Sequence, residues 1–153
     1  MSAILLAIDP GSVSGAYAVF FDDPGRHPVV DDLPVVDKQV NGSDFYRSVV
    51  RGWQIKSAVV ERVASMPKQG VSSTFKFGVS VGIVHGVLAA CGVSLKLVTP
   101  AEWKRGMKIG ADKEVARALA IRLYPGVVGL HLKKHQGRAE ALLLGHYVLK
   151  GGL

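Results

Sequence analysis

Three carboxylates stand in places where a carboxylate is costly. Asp9 closes the apolar run Ala3-Ile4-Leu5-Leu6-Ala7-Ile8, and Glu61 closes Ala58-Val59-Val60. Glu140 sits inside Ala139-Glu140-Ala141-Leu142-Leu143-Leu144, on the helical stripe of Leu143, Leu144 and Tyr147. An ionised carboxyl leaving water for such surroundings must be compensated. Each has an ordinary reading: Asp9 as a turn former before Pro10-Gly11, Glu61 as an ion-pair partner of Arg62, Glu140 as a charge favoured near a helix N-terminus. Taken together, on three separate apolar elements, they are better explained by a shared hard cation. All-oxygen ligands suit Mg²⁺ or Mn²⁺, which also pick up substrate phosphates. Two such ions about 4 Å apart can activate a water and stabilise the leaving oxygen in phosphodiester hydrolysis. Two ions of Mg²⁺ (or Mn²⁺) per site are therefore expected.

The elements that must hold these acids can be read from the pattern. Ala3 to Asp9 reads as a buried strand, followed by a hairpin to Gly15–Phe21. Val29 to Val36 reads as a third strand, pushed to an edge by Pro34. A first helix is expected from Ser43, as N-cap, to Gly52. Ser57–Glu61 is another strand, and a long helix runs from about Val71 to Cys91, with Gly92 as its stop. Gly78, Gly82 and Gly86 share one face of that helix, which suits a close approach of another element or of a second subunit. Leu95–Val98 is a strand, and Thr99-Pro100-Ala101-Glu102 is a capping box with Pro at N1. Asp112 caps a helix through Leu123, and Gly137–Leu149 forms the last one. The expected fold is α/β, a mixed sheet of about five strands with helices on both faces, in one domain spanning 1–153. Ligands in such sheets bind where strands end.

Composition narrows the partners. A charge of +7, with 19 Lys and Arg against 12 Asp and Glu, favours a polyanion. The one cysteine, Cys91, cannot form an internal disulfide and reads as a core residue; no basic signal region precedes the first strand, so a cytoplasmic location is expected, in a bacterium or in the host of a phage. The apolar stretch Gly78–Val93 is shorter than the roughly 20 residues a spanning helix needs, and Ser80 and His85 interrupt it. It is read as a buried helix, with no membrane contact.

Five stretches then carry a resemblance. Ile8-Asp9-Pro10-Gly11-Ser12-x-x-Gly15 resembles the opening motif of the RuvC family of Holliday-junction resolvases, and Val60-Glu61-x-Val63 its second acidic motif. Met66-Pro67-Lys68-Gln69-Gly70-Val71-Ser72-Ser73-x-Phe75-Lys76-Phe77-Gly78, with Gly82 and Gly86, is similar to the loop and helix that follow. Val98-Thr99-Pro100-x-x-Trp103-Lys104 and Lys133-Lys134-x-x-Gly137-Arg138-Ala139-Glu140-Ala141-Leu142-Leu143 look like the phage and phage-like branch. The resemblance implies an RNase H-like fold, a homodimer and cleavage of opposed strands of a four-way (or branched) DNA junction, leaving 5′-phosphate and 3′-hydroxyl ends. It implies Asp9, Glu61 and Glu140 as catalytic metal ligands. The family places an Asp just before the final acid, where this chain has His135-Gln136. His135 is taken as the fourth catalytic residue, since neutral imidazole can bind Mn²⁺ or carry a proton; Gln136 is the alternative.

Lys68, Lys76, Lys104, Arg105, Lys108, Lys113, Lys133, Lys134 and Arg138 fall in the segments flanking these acids and form the expected DNA-binding set. No base-reading motif accompanies them, so shape readout is expected. The aromatic that stacks on an opened base in some relatives has no counterpart at Val63-Ala64-Ser65-Met66, which leaves Met66 or Phe75 for that role. Trp103 is expected to pack its short helix onto the core. Three other readings compete. An actin-like or sugar-kinase ATPase would need two lobes, too much for 153 residues. A catalytically weakened junction-binding protein and an RNA-processing nuclease of the same fold both fit the charge.

Overall fold

A computed structural model describes residues 3–11, 15–64 and 70–151. In chain order these form β1 (Ala3–Asp9), β2 (Ala16–Phe21), β3 (Val29–Asp32), the short strands β4 (Val35–Val36) and β5 (Gln39–Val40), and α1 (Gly42–Asp44), which continues as a π-helix from Phe45 to Arg51. Next come β6 (Ser57–Glu61), α2 (Val71–Ala90), β7 (Ser94–Val98), α3 (Pro100–Gly106), α4 (Lys113–Leu123) and a 3₁₀ turn, Lys133–His135, leading into α5 (Gln136–Leu149).

The main sheet has the order β3-β2-β1-β6-β7. β1 pairs antiparallel with β2, and β2 with β3; β6 runs parallel to β1 and β7 parallel to β6. Its near-continuous apolar strands follow from burial on both faces. Leu6, Ile8, Tyr17, Val19, Ala58 and Val60 point to one core with the π-helix and with Val84 and Leu88 of α2. Leu5, Ala7, Ala18, Phe20 and Val59 point the other way, to Trp103, Leu119 and the Ala/Leu stripe of α5. This is the expected mixed sheet with helices on both faces.

Three local expectations are corrected. The third strand stops at Asp32; beyond Pro34, Val35–Val36 turns back through Asp37 and Lys38, both at positive φ, to pair with Gln39–Val40. The helix expected to start at Ser43 is capped instead by Asn41, whose Oδ1 accepts from the Asp44 N–H at 3.2 Å. The third concerns α2. It is 20 residues long and apolar enough to cross a membrane by length and composition, yet only Ser80, Val84 and Leu88 are buried. Ser80 Oγ accepts from the Val40 N–H at 2.9 Å, tying this narrow stripe to β5.

Ile83 and Val87 flank that stripe against the core, and the opposite side of α2 faces out. Val71 is 89% and Phe75 71% exposed, and a Cβ added at Gly78, Gly82 or Gly86 would meet nothing within 4 Å. Cys91, at the C-terminal cap, is exposed and not a core residue. Close packing is permitted instead by Gly106 in α3, against Tyr147, and by Gly145 in α5. A Cβ at Gly145 would strike the Phe20 ring and lie 3.1 Å from the Ala7 Cβ, so its absence lets α5 settle against β1 and β2.

Candidate active site

Two of the acids are placed by strand register alone. Ile8 pairs with Val60 in the parallel β1–β6 ladder, so Asp9 and Glu61 end neighbouring strands side by side. Because side chains alternate along a strand, both follow Ala7 and Val59 towards the α5 face. There α5 presents Glu140. The three are 6%, 8% and 3% exposed, so three carboxylates share one water-poor corner. They line a cleft of about 480 Å³ with Gly11, Arg62, Val63, Phe77, Lys104 and Lys113.

Each acid has one dedicated donor. Asp9 Oδ1 accepts from the Gly11 N–H at 3.1 Å, across a turn in which Gly11 adopts φ 61°. Glu61 Oε2 accepts from the Trp103 indole Nε1–H at 2.7 Å; Arg62 does not take that role. Glu140 Oε1 lies 2.8 Å from the Lys113 ammonium, and its Oε2 lies 3.9 Å from that of Lys104. Burial, then the nearby Glu61 and Glu140, push the Asp9 pKa up to about 7. Burial also raises that of Glu61, opposed by the Trp103 hydrogen bond. Burial alone would lower the Lys113 pKa, but its bond to Glu140 and the surrounding carboxylates carry it above the ordinary lysine value. The cluster is short of positive charge.

That shortage and the all-oxygen donor set fit a hard divalent cation. In this arrangement, however, no three of the described His, Cys, Asp and Glu side chains converge closely enough to hold one ion together. Lys113 is the built-in counter-charge, and it is the group that a cation would displace from Glu140.

The expected fourth residue is not delivered. His135 is 5% exposed, its Nδ1 accepts from the Leu132 N–H at 3.2 Å, and its ring packs edge-on to His131. Burial and then Arg138 lower its pKa; the charged groups around it are Arg138, His131, Lys134 and Asp32, not the three acids. Gln136 turns to Glu114. The position that faces Asp9 is Gly137, one turn before Glu140, where a Cβ would lie 3.9 Å from Asp9 Oδ2.

The basic set divides. Lys104 and Lys113 line the cleft. Arg105, Lys108, Lys133 and Lys134 are exposed on α3, the turn after it and the 3₁₀ turn. Lys76 reaches the Asp37 carbonyl at 3.5 Å. Arg138 is a correction: its guanidinium is engaged by Asp32 at 2.9 and 3.2 Å and by Asp31 at 3.4 Å, so it braces α5 against β3. Lys68 and Met66 lie outside the described residues, and Phe75 is exposed. Sequence reasoning missed two participants. Phe77 lines the cleft, and its only signal was the aromatic pair Phe75-x-Phe77. Trp103 was read as packing alone, though a buried indole needs an acceptor for its N–H.

A mixed five-stranded sheet with acids at the ends of its two central parallel strands, faced by an acid on the last helix, is an RNase H-like arrangement. The sequence matches no protein family and no curated protein, whereas solved structures match along nearly all of it. Thermus thermophilus RuvC in complex with a Holliday junction substrate aligns over 97% of this chain and 96% of its own, with a TM-score of 0.66 and 15% identity. The fowlpox virus resolvase in complex with Holliday junction DNA aligns over 98% and 99%, with 0.59 and 14%. The yeast mitochondrial Holliday junction resolvase aligns over 95% and 83%, with 0.58 and 10%. The chain has the RuvC-type fold.

Proposed function

We propose that this protein is a structure-selective endonuclease that resolves four-way DNA junctions by divalent-metal-dependent phosphodiester hydrolysis. The observation that carries this reading is the meeting of Asp9, Glu61 and Glu140 in one buried cleft walled by Lys104 and Lys113. Its support is the fold shared, end to end, with proteins solved on junction DNA.

Asp9, Glu61 and Glu140 would hold Mg²⁺ or Mn²⁺, two ions in the working site. Such ions supply a water nucleophile at neutral pH and charge for the leaving oxygen, giving 5′-phosphate and 3′-hydroxyl ends. The chain's own residues do the rest. Lys104 and Lys113 are placed to meet phosphate oxygens, and Lys113 would exchange Glu140 for a phosphate if the carboxylates held a cation. The three carboxylates and the largely covered Lys104 act with reduced screening, while Lys113, 57% exposed, works from the solvent edge of the cleft. Arg105, Lys108, Lys133 and Lys134 hold the flanking phosphates.

The working unit is read as a homodimer built on α2. Val71, Phe75, Gly78, Gly82, Gly86 and Ala89, spaced by three or four residues, form an exposed seam down one side of the helix. Small residues there admit a second copy's helix at close range, and two sites in one dimer suit two opposed strands.

The discriminating experiment incubates a labelled four-way junction and a linear duplex with the protein in Mg²⁺, Mn²⁺ or EDTA, beside Asp9→Asn. Junction cutting in metal only, lost in the variant with binding retained, is expected. Equal cutting of the duplex refutes junction selectivity, and binding without cutting in either metal refutes the nuclease. That last outcome would favour a junction-binding protein, the reading supported by the absence of His135 and Gln136 from the site.

A further inference from the structure

Among the described residues Trp103 is the largest fully buried side chain, and its one polar side-chain atom donates to Glu61. α3, the short helix that carries it, is firmly built. Thr99 Oγ1 accepts from the Glu102 N–H at 3.2 Å, Pro100 opens the first turn, and Tyr147 on α5 donates to Glu102 Oε2 at 3.1 Å. The next residue, Lys104, lays its ammonium 5.5 Å from the Trp103 ring centre and 3.9 Å from Glu140. One rigid helix turn thus grips two of the three acids, one with a neutral donor and one with a charge.

The neutrality of the indole matters. A Lys or Arg at Glu61 would cancel the charge a cation needs, as Lys113 does at Glu140. An indole N–H can only donate and never ionises. It therefore fixes which oxygen is used without lowering the charge of the group. With Oε2 held at 2.7 Å, the carboxylate is fixed in orientation, and Oε1 has no hydrogen-bond donor among the described residues. Outer hydrogen bonds of this type orient ligating carboxylates and set their affinity.

We propose that Trp103 is a positioning residue that locks the Glu61 carboxylate for cation binding. This rests on the metal-dependent reading above, and the test separates the two. Mn²⁺ binding is measured by calorimetry on the full chain and on Trp103→Phe, Glu61→Gln and the double variant. The wild type is expected to bind, and Trp103→Phe to bind roughly 10- to 100-fold more weakly. In the Glu61→Gln background, Trp103→Phe is expected to cost nothing further, since partners acting through one another are non-additive. Equal affinity of folded Trp103→Phe and wild type overturns the positioning role, as does full additivity. A wild type that binds no Mn²⁺ overturns the metal reading instead. Should Trp103→Phe not fold, the two indole N–H resonances of the native protein give the answer without metal, assigned with Trp53→Phe. Glu61→Ala, which removes the acceptor, is expected to move the Trp103 signal and speed its solvent exchange; an unmoved signal overturns the proposal.

Discussion

Asp9 keeps its proton up to about pH 7 in the folded chain, against 3.8 in its ordinary setting. Between those values the unfolded chain binds fewer protons than the folded one, so stability falls as pH rises and levels off above about 7. Chemical denaturation in EDTA from pH 4.5 to 8 is expected to show this decline, and Asp9→Asn to flatten it. A bound cation must displace the same proton, so Mn²⁺ affinity should climb over that window. Gly137 supports a second prediction at this scale. Gly137→Asp adds a carboxylate beside Asp9 Oδ2, and calorimetry should show tighter Mn²⁺ binding, whereas His135→Ala should leave it within about twofold. The three acids were legible in the sequence because each interrupts an apolar run. The fourth position was not. Residues 135, 136 and 137 point in three directions off one helix start, and which of them meets Asp9 depends on where the 3₁₀ turn gives way to α5, which composition does not encode.

Among the elements, the strands were the most legible. Ser57–Glu61 stands where it was predicted, since a short apolar run buried on both faces admits few alternatives. The long helix was read correctly in extent but not in exposure. Its buried stripe includes the polar Ser80, while its open face carries Val71 and Phe75, so hydrophobicity alone points to the wrong side. Glycine spacing is equally mute: 78/82/86 face open space, whereas Gly145 lies against Phe20 and Ala7. Gly145→Ala is therefore expected to destabilise by about 1–3 kcal/mol, the usual cost of overpacking a close-packed contact, as measured by urea denaturation. Gly82→Ala should leave monomer stability unchanged or raise it by up to about 1 kcal/mol, because the new methyl meets nothing and helix propensity improves.

For the whole molecule, a charge of +7 predicts that any DNA binding is strongly salt-dependent. Junction affinity measured from 50 to 200 mM salt should fall steeply. Replacing Lys133 and Lys134 by Ala should flatten that slope without altering Mn²⁺ binding. Assembly is tested separately: Gly82→Leu places a bulky side chain in the α2 seam and should shift sedimentation from dimer to monomer while leaving the circular dichroism intact. Junction cleavage should then lose its paired incisions, because each would require an independent encounter.

The exposed thiol of Cys91 offers a direct probe of the proposed dimer. It is the chain's one cysteine, it ends α2, and it lies outside the cleft of Asp9, Glu61 and Glu140. A spin label attached there needs no prior mutagenesis and gives one reporter per protomer. In a dimer joined along α2, the label-to-label distance would measure how the two helices cross, and any change on adding a junction would report whether DNA alters the spacing between the protomers.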